Sequence, residues 1–142
     1  MRQSFTKTAI PLVALVAAIS PLFATSNHEY GPNEYVTVEG GRSPDAKYSI
    51  ATHGEGELGD ENFHVYLMNG ESGKKIGPLE EIKDTLDTGA DAFYAKWSAD
   101  SGQVTIRYRV DRHAAMEVRY RIANHRAYLI SGPSAVGALR FE

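Results

Sequence analysis

Two neighbouring stretches of alternating residues decide the fold, and they read Gln103-Val104-Thr105-Ile106-Arg107-Tyr108-Arg109-Val110 and Met116-Glu117-Val118-Arg119-Tyr120-Arg121-Ile122. Apolar side chains occupy every second position, and a β-strand turns successive side chains to opposite faces. One face of each strand is therefore predicted to lie in the core and the other in solvent. The segment Asp111-Arg112-His113-Ala114 between the two stretches predicts a turn that closes a hairpin.

Further short runs of aromatic and β-branched residues predict more strands on either side of this hairpin. They cover residues 35–38, 47–52, 63–69, 93–98 and 126–131. After Pro78, apolar residues recur at helical spacing, so one short helix is predicted over residues 79–88. The sequence thus predicts a mainly β protein of antiparallel sheet with one short helix.

The start of the chain has the layout of a secretory signal peptide. A basic head with Arg2 and Lys7 precedes an almost uncharged apolar run. Its densest part, residues 12–19, is shorter than the roughly 18 to 20 residues that a membrane-spanning helix needs, so we expect no stable membrane anchor. The small residues required for cleavage are supplied by Ala24-Thr25-Ser26, or by Ala24 alone with a cut directly after it.

The remaining chain is organised as one domain. We assign residues 1–26 to the signal peptide, 27–33 to a flexible lead-in, 34–133 to a single β-rich domain and 134–142 to a C-terminal tail. A chain of this length buries a sufficient core without covalent cross-links.

Composition excludes several classes of function. The sequence has no cysteine, which rules out disulfides, a thiol nucleophile and a zinc–thiolate site. Small secreted eukaryotic domains usually rely on disulfides, so we expect a bacterial protein of the periplasm or the extracellular space. Loss of Arg2 and Lys7 with the signal peptide lowers the formal net charge from −3 to −5. That sign disfavours nucleic acid as a partner.

A weak internal repeat links the two halves. Residues 43–51 and 97–106 each form a turn that leads into a predicted strand, and residues 63–70 align with 116–124. The second copy resembles the blade repeat of TolB-type β-propellers, which it matches at Trp97, Ser98, Asp100 and Tyr120, with Ala99 in place of a proline. This resemblance implies two propeller-blade-like β-meander units and a tendency to bind partners.

Two blades are fewer than the four or so that close a propeller. Unpaired strands at the ends of an open sheet attract other strands. We therefore expect exposed sheet edges and self-association into a homo-oligomer through them.

The string Asp87-Thr88-Gly89-Ala90 is similar to the active-site motif of retroviral-type aspartic proteases. The similarity implies that Asp87 shares a proton with its twin across a homodimer and activates water, while Thr88 and Gly89 shape the loop. That family also needs a glycine-rich flap, and between Ala90 and Arg126 the only glycine is Gly102. The alternative interpretation is that Thr88 and Gly89 end the predicted helix.

Cationic side chains mark the predicted solvent face of the hairpin. They are Arg107, Arg109, Arg119 and Arg121. This face predicts a binding site for an anionic ligand, such as an anionic glycan, a phosphate or a lipid headgroup. The alternative is a solvated face on which Asp111 and Glu117 pair with some of the arginines, each exposed pair contributing only about 0 to 1 kcal/mol.

The loop before the third predicted strand collects imidazoles and carboxylates. These are His53, Glu55, Glu57, Asp60, Glu61 and His64. Their spacing matches no established calcium loop, so we interpret the segment as a hydrated acidic loop and predict neither a metal nor another cofactor.

From the sequence we therefore expect an exported, non-catalytic binding module. Its expected ligand is a protein or an anionic glycan. The alternative is a homodimeric aspartic protease that acts through Asp87.

Overall fold

The computed structural model describes residues 25–142, so the predicted signal peptide lies outside the described residues except for Thr25 and Ser26. Within this range eight strands form one curled sheet, which confirms the mainly β class. The strands are β1 (Val36–Arg42), β2 (Tyr48–Glu55), β3 (Glu61–Asn69), β4 (Lys75–Pro78), β5 (Tyr94–Trp97), β6 (Gln103–Asp111), β7 (Ala114–Ala123) and β8 (Arg126–Val136). No helix in this part of the chain is long and apolar enough to cross a membrane.

The sheet consists of two four-stranded antiparallel meanders, as the repeat predicted. The first contains β1 to β4 and the second β5 to β8, in the order β4-β3-β2-β1-β5-β6-β7-β8. They join where β1 and β5 run parallel, at the pair Glu39 and Tyr94. This parallel junction was not predicted, because nothing in the sequence shows which strands of two separate meanders become neighbours.

Both meanders contribute to one hydrophobic core. Phe93 is fully buried beside the rings of Phe63 and Tyr108, with centroids 5.7 and 6.3 Å away, and so connects β3 with β6. Tyr48 of β2 stacks on Trp97 of β5 at 6.5 Å. The fully buried aliphatic residues of this core are Ile50, Val65, Val104, Ile106 and Val118.

The turns between β1 and β2 and between β5 and β6 use the same hydrogen bonds. In the first, Ser43 Oγ donates to Asp45 at 2.7 Å, and the Tyr48 amide donates to Ser43 Oγ at 3.0 Å. The second repeats both contacts, at 2.6 Å from Ser98 to Asp100 and at 2.9 Å from the Gln103 amide to Ser98. The internal repeat therefore corresponds to two copies of one turn.

We expect both turn aspartates to stabilise the fold in a pH-dependent way. Hydrogen bonds from the serine hydroxyl, and then from a backbone amide, lower the pKa of Asp45 and of Asp100 below the ordinary value of 3.8. A lowered pKa stabilises the fold above the pKa of the unfolded chain, and this contribution disappears as the pH falls through the folded value. Asp45→Ala and Asp100→Ala should each lower the melting temperature at pH 7, and by much less at pH 2.5.

Exposed Glu71, in the turn between β3 and β4, supplies the control as Glu71→Ala. Thermal melts of the three variants at both pH values test the prediction. An equal loss at both pH values would show that the carboxylates do not act through these hydrogen bonds.

Equivalent positions in the two meanders face opposite sides of the sheet. Tyr48, the first residue after the first turn, packs against the core, whereas Gln103, the first residue after the second turn, is exposed. The solvent side of β6 and β7 thus corresponds to the core side of β2 and β3. This solvent side of β6 and β7 carries polar side chains at the positions that correspond to Ile50 and Leu67 on the core side of the first meander.

The predicted helix over residues 79–88 is wrong. These residues form turns, and the helical element within residues 25–142 is the short 3-10 helix Ala90–Ala92 that follows them. The amides of Leu79 and Leu86 donate across the fold to the carbonyls of Val65 and Arg109, at 2.8 and 2.9 Å. Leu79 and Ile82 are buried, so the apolar spacing is used for burial without an α-helix. Isolated helices of this length are marginal, and tertiary hydrogen bonds replace the helical ones.

The sheet ends at β4 on one side and at β8 on the other. β4 has four residues, whereas β8 has 11 and exposes Leu129 and Ile130, which are 47% and 45% accessible. β8 also extends to Val136, three residues into the segment that was predicted as a tail.

Candidate functional sites

The Asp-Thr-Gly part of the protease-like string, residues 87–89, forms a loop. This loop lies between the turns of residues 79–86 and the 3-10 helix. Asp87 is only 1% accessible. Its carboxylate accepts two hydrogen bonds from Arg109 of β6, from Nε to Oδ2 at 2.9 Å and from Nη2 to Oδ1 at 2.7 Å. These bonds raise the pKa of Arg109. Asp87 is thus the acceptor of a buried, two-point ion pair.

The N-terminal segment, residues 25–30, completes the surroundings of this loop. The Ser26 amide donates to Asp87 Oδ1 at 2.8 Å, and the Ser26 carbonyl accepts from the amides of Thr88 and Gly89 at 2.8 and 3.0 Å. Its hydroxyl donates to Asp91. The chain from Ser26 to Tyr30, which includes the first part of the lead-in expected over residues 27–33, packs against the 87–89 loop.

Tyr30 anchors the other end of this segment. Its side chain is buried, and its hydroxyl lies 2.7 Å from Thr52 Oγ1 and donates to the Thr88 carbonyl. Burial raises the pKa of Tyr30. The Thr88 hydroxyl in turn donates to the Leu58 carbonyl at 2.6 Å, which ties the loop to the β2–β3 connection.

Two glycines allow this close packing. A Cβ on Gly89 would lie 2.1 Å from Ser26 Oγ, and one on Gly59 would lie 2.1 Å from the His28 carbonyl oxygen. At Gly59 the contact is with backbone and the φ is +68°, so this position requires glycine. At Gly89 the contact is with the Ser26 side chain, which would have to move to admit a larger residue. The glycine of the Asp-Thr-Gly string thus has a packing role, and it does not end a helix.

The geometry around Asp87 supports a structural role for the string. In retroviral-type aspartic proteases the two aspartates must face each other and share a proton. Here both oxygens of Asp87 are occupied by donors of the same chain, Arg109 and Ser26.

The structure divides the four predicted arginines into two groups. Arg107 is engaged, because its Nε donates to Glu117 at 2.9 Å, its Nη1 donates to the Arg140 carbonyl at 3.0 Å, and Phe141 covers its guanidinium at 4.2 Å. Arg109 is held by Asp87. The remaining two, Arg119 and Arg121, are exposed on β7 and pair with no carboxylate of residues 25–142, although Arg119 Nε donates to Thr105 Oγ1 at 3.3 Å and the Arg121 guanidinium lies 4.5 Å from the centre of the Tyr128 ring.

The exposed arginines lie beside a lysine that the sequence analysis missed. Lys96 of β5 pairs with Thr105 of β6, which pairs with Arg119 of β7, so the three side chains form a row across the outer face. Lys96 lies between the buried Ala95 and the partly buried Trp97, and this alternation could have identified it. We call Lys96 and Arg119, together with Arg121 two residues further along β7, the cationic row.

A cavity of about 350 Å³ lies over this part of the sheet. Its lining includes Lys96, Arg119 and two aromatic residues, Trp97 and Phe141. The one carboxylate in the lining, Glu117, is paired with Arg107. The Trp97 ring packs against the core on the other face of β5, so the site is open, cationic and bordered by the ring of Phe141.

The acidic and histidine-rich loop does not assemble into a cation site. His53 lies under Tyr35, with ring centroids 4.3 Å apart, and its Nδ1 is 2.6 Å from the Glu34 carbonyl. Within residues 25–142 no group of three or more histidines and carboxylates is arranged to hold a metal ion.

Comparisons of the chain with protein-family models, with curated proteins and with solved structures give no match.

Proposed function

We propose that this protein is an exported, non-catalytic binding module that holds an anionic glycan on the outer face of its second meander. The observation that carries the proposal is the cationic row, with Lys96 on β5 and Arg119 and Arg121 on β7, on the two strands that flank β6. The carboxylate beside the row is already neutralised by Arg107. A ligand that carries sulfate or carboxylate groups would supply the missing negative charge.

Shape and chemistry favour a glycan among anionic ligands. A cavity of about 350 Å³ is at the lower end of the range for small-molecule sites, roughly 300 to 1,000 Å³. Phe141 offers an apolar surface for the face of a sugar ring, while guanidinium groups bind carboxylates and related oxyanions through two parallel hydrogen bonds. A sugar ring bound here would lie between the ring of Phe141 and the cationic row.

The direct test is binding of a sulfated glucosamine–uronate oligosaccharide, measured by calorimetry. We expect the double variant Arg119→Glu/Arg121→Glu to bind at least about tenfold more weakly, which corresponds to about 1.4 kcal/mol. Binding by the unchanged protein should also weaken as salt rises, because exposed charges are screened.

The control for charge reversal is Arg42→Glu, on an exposed residue of β1 in the other meander. It should leave binding unchanged. Equal affinity for an uncharged oligosaccharide of the same length would contradict the proposal. Equal losses of affinity in Arg42→Glu and in Arg119→Glu/Arg121→Glu would also contradict it.

A further inference from the structure

Residues 137–142 leave the sheet after β8 and pack over the outer face of the second meander. One side chain of β6 holds most of this segment. Arg107 Nη1 donates to the carbonyls of Ala138 and Arg140, at 3.3 and 3.0 Å. The Arg107 guanidinium also lies 4.2 Å from the centre of the Phe141 ring. The larger part of the predicted tail is therefore docked on the sheet.

Two further contacts fix this arrangement. Arg107 Nε donates to Glu117 at 2.9 Å, and both side chains are mostly buried. Arg140 Nε donates to the hydroxyl of the buried Tyr94 at 3.1 Å. The donors of Arg107 are thus used by a carboxylate and by carbonyls of the docked segment, so this arginine holds the segment and differs in role from the cationic row.

The docked segment places Phe141 beside the proposed glycan site. Phe141 lines the cavity of about 350 Å³ over the cationic row and a neighbouring cavity of about 550 Å³. Lys96 and Arg107 line both cavities as well. A ligand bound to the cationic row would therefore meet the Phe141 ring, which lies there because Arg107 holds residues 137–142 on the sheet.

We infer that Phe141 makes this site select ring-bearing anions over bare polyanions, and that Arg107 is the positioning residue that holds Phe141 in place. A sugar ring can bury its C–H groups against the electron-rich face of an aromatic ring, whereas a phosphate chain has no apolar surface to bury. The cationic row attracts both kinds of ligand through charge. This inference rests on the proposed glycan-binding function and adds the basis of its selectivity.

The first experiment compares two ligands by calorimetry, a sulfated glucosamine–uronate oligosaccharide and an inorganic polyphosphate of the same total charge. We expect Phe141→Ala to bind the oligosaccharide at least about fivefold more weakly and the polyphosphate with unchanged affinity. Arg119→Glu/Arg121→Glu should weaken binding of both ligands.

Two failures of this experiment are distinguishable. Equal effects of Phe141→Ala on the two ligands, or no effect on either, would overturn the selectivity inference and leave the glycan proposal standing. Failure of the unchanged protein to bind the oligosaccharide would overturn the glycan proposal and this inference with it.

The second experiment tests the positioning role of Arg107. The double variant Arg107→Gln/Glu117→Gln removes one positive and one negative charge, so it leaves the net charge of the site unchanged. It should lose oligosaccharide affinity as Phe141→Ala does and keep its affinity for polyphosphate. Without any ligand, trypsin should cleave after Arg140 at least about fivefold faster than in the unchanged protein, because proteolysis follows the population of the released segment.

The matched control is Glu39→Gln/Arg42→Gln, which removes two opposite charges from exposed positions of β1 in the other meander. It should leave the affinities and the cleavage rate unchanged. Cleavage after Arg140 is measured relative to cleavage after Arg112, in the exposed turn between β6 and β7, so that general unfolding does not imitate release of the segment. Equal relative rates in the two double variants would overturn the positioning role of Arg107.

Discussion

Replacing Asp87 with alanine is expected to lower the free energy of unfolding by about 3 kcal/mol. Removal of one partner from a buried ion pair typically costs about 3 to 5 kcal/mol. We take the lower end because the Arg109 side chain is 19% accessible and water can reach part of it. The Ser26 amide loses its acceptor in the same change.

Chemical denaturation of the variant and the parent protein measures this loss. Asp60→Ala, which removes an exposed carboxylate, is the control and should change stability by less than about 0.5 kcal/mol. A double-mutant cycle with Arg109→Ala should show a coupling of about 0.5 to 3 kcal/mol between the two side chains. Additive losses would mean that the pair is not the source of the effect.

The Asp87 variants also test the protease hypothesis. If the string were catalytic, the purified exported protein would cleave peptides at acidic pH, a pepstatin-like inhibitor would block the cleavage, and Asp87→Asn would abolish it. We expect the parent protein and Asp87→Asn to behave alike in this assay and to differ in stability.

Replacing Phe93 with alanine is expected to cost about 3 to 5 kcal/mol, the range for large aromatic residues in a core. Phe93 has no accessible surface and contacts Phe63 of the first meander and Tyr108 of the second. Its loss should weaken both meanders together, because their inner faces form one core.

Unfolding can be followed by the fluorescence of Trp97, the single tryptophan, and by circular dichroism of the whole sheet. The two signals should give one midpoint in the parent protein and one lower midpoint in Phe93→Ala. Phe141→Ala, outside the core, is the control and should lower the midpoint far less. Separate midpoints for the two signals would show that the meanders unfold independently.

Local patterns were sufficient where strands and turns depend on near neighbours. Alternation in residues 103–110 and 116–122 predicts β6 and β7 and the side that each residue faces, because the two-residue period is a property of the strand itself. The turns at Ser43 and Ser98 were equally visible, since each serine and the aspartate two residues later form their own hydrogen bonds.

The tertiary structure decided what depends on distant partners. The spacing of Leu79, Ile82 and Leu86 fits a helix, yet hydrogen bonds to β3 and β6 hold these residues in turns. Asp87 forms an ion pair with Arg109, 22 positions away, and accepts a hydrogen bond from the amide of Ser26, 61 positions away. The three-residue string alone could therefore not reveal its role.

The sequence by itself determined seven of the eight strands, the buried faces of β6 and β7, the twin turns and the absence of cysteine chemistry, because each of these depends on residues close in the chain or on composition alone. It did not predict the four-residue β4. Only the tertiary structure decided that the meanders share one core, that Arg107 and Arg109 form ion pairs while Lys96 lies on the same face as Arg119, and that Ser26 packs against the 87–89 loop. These depend on which distant segments meet, and that choice is made by the packing of the whole chain.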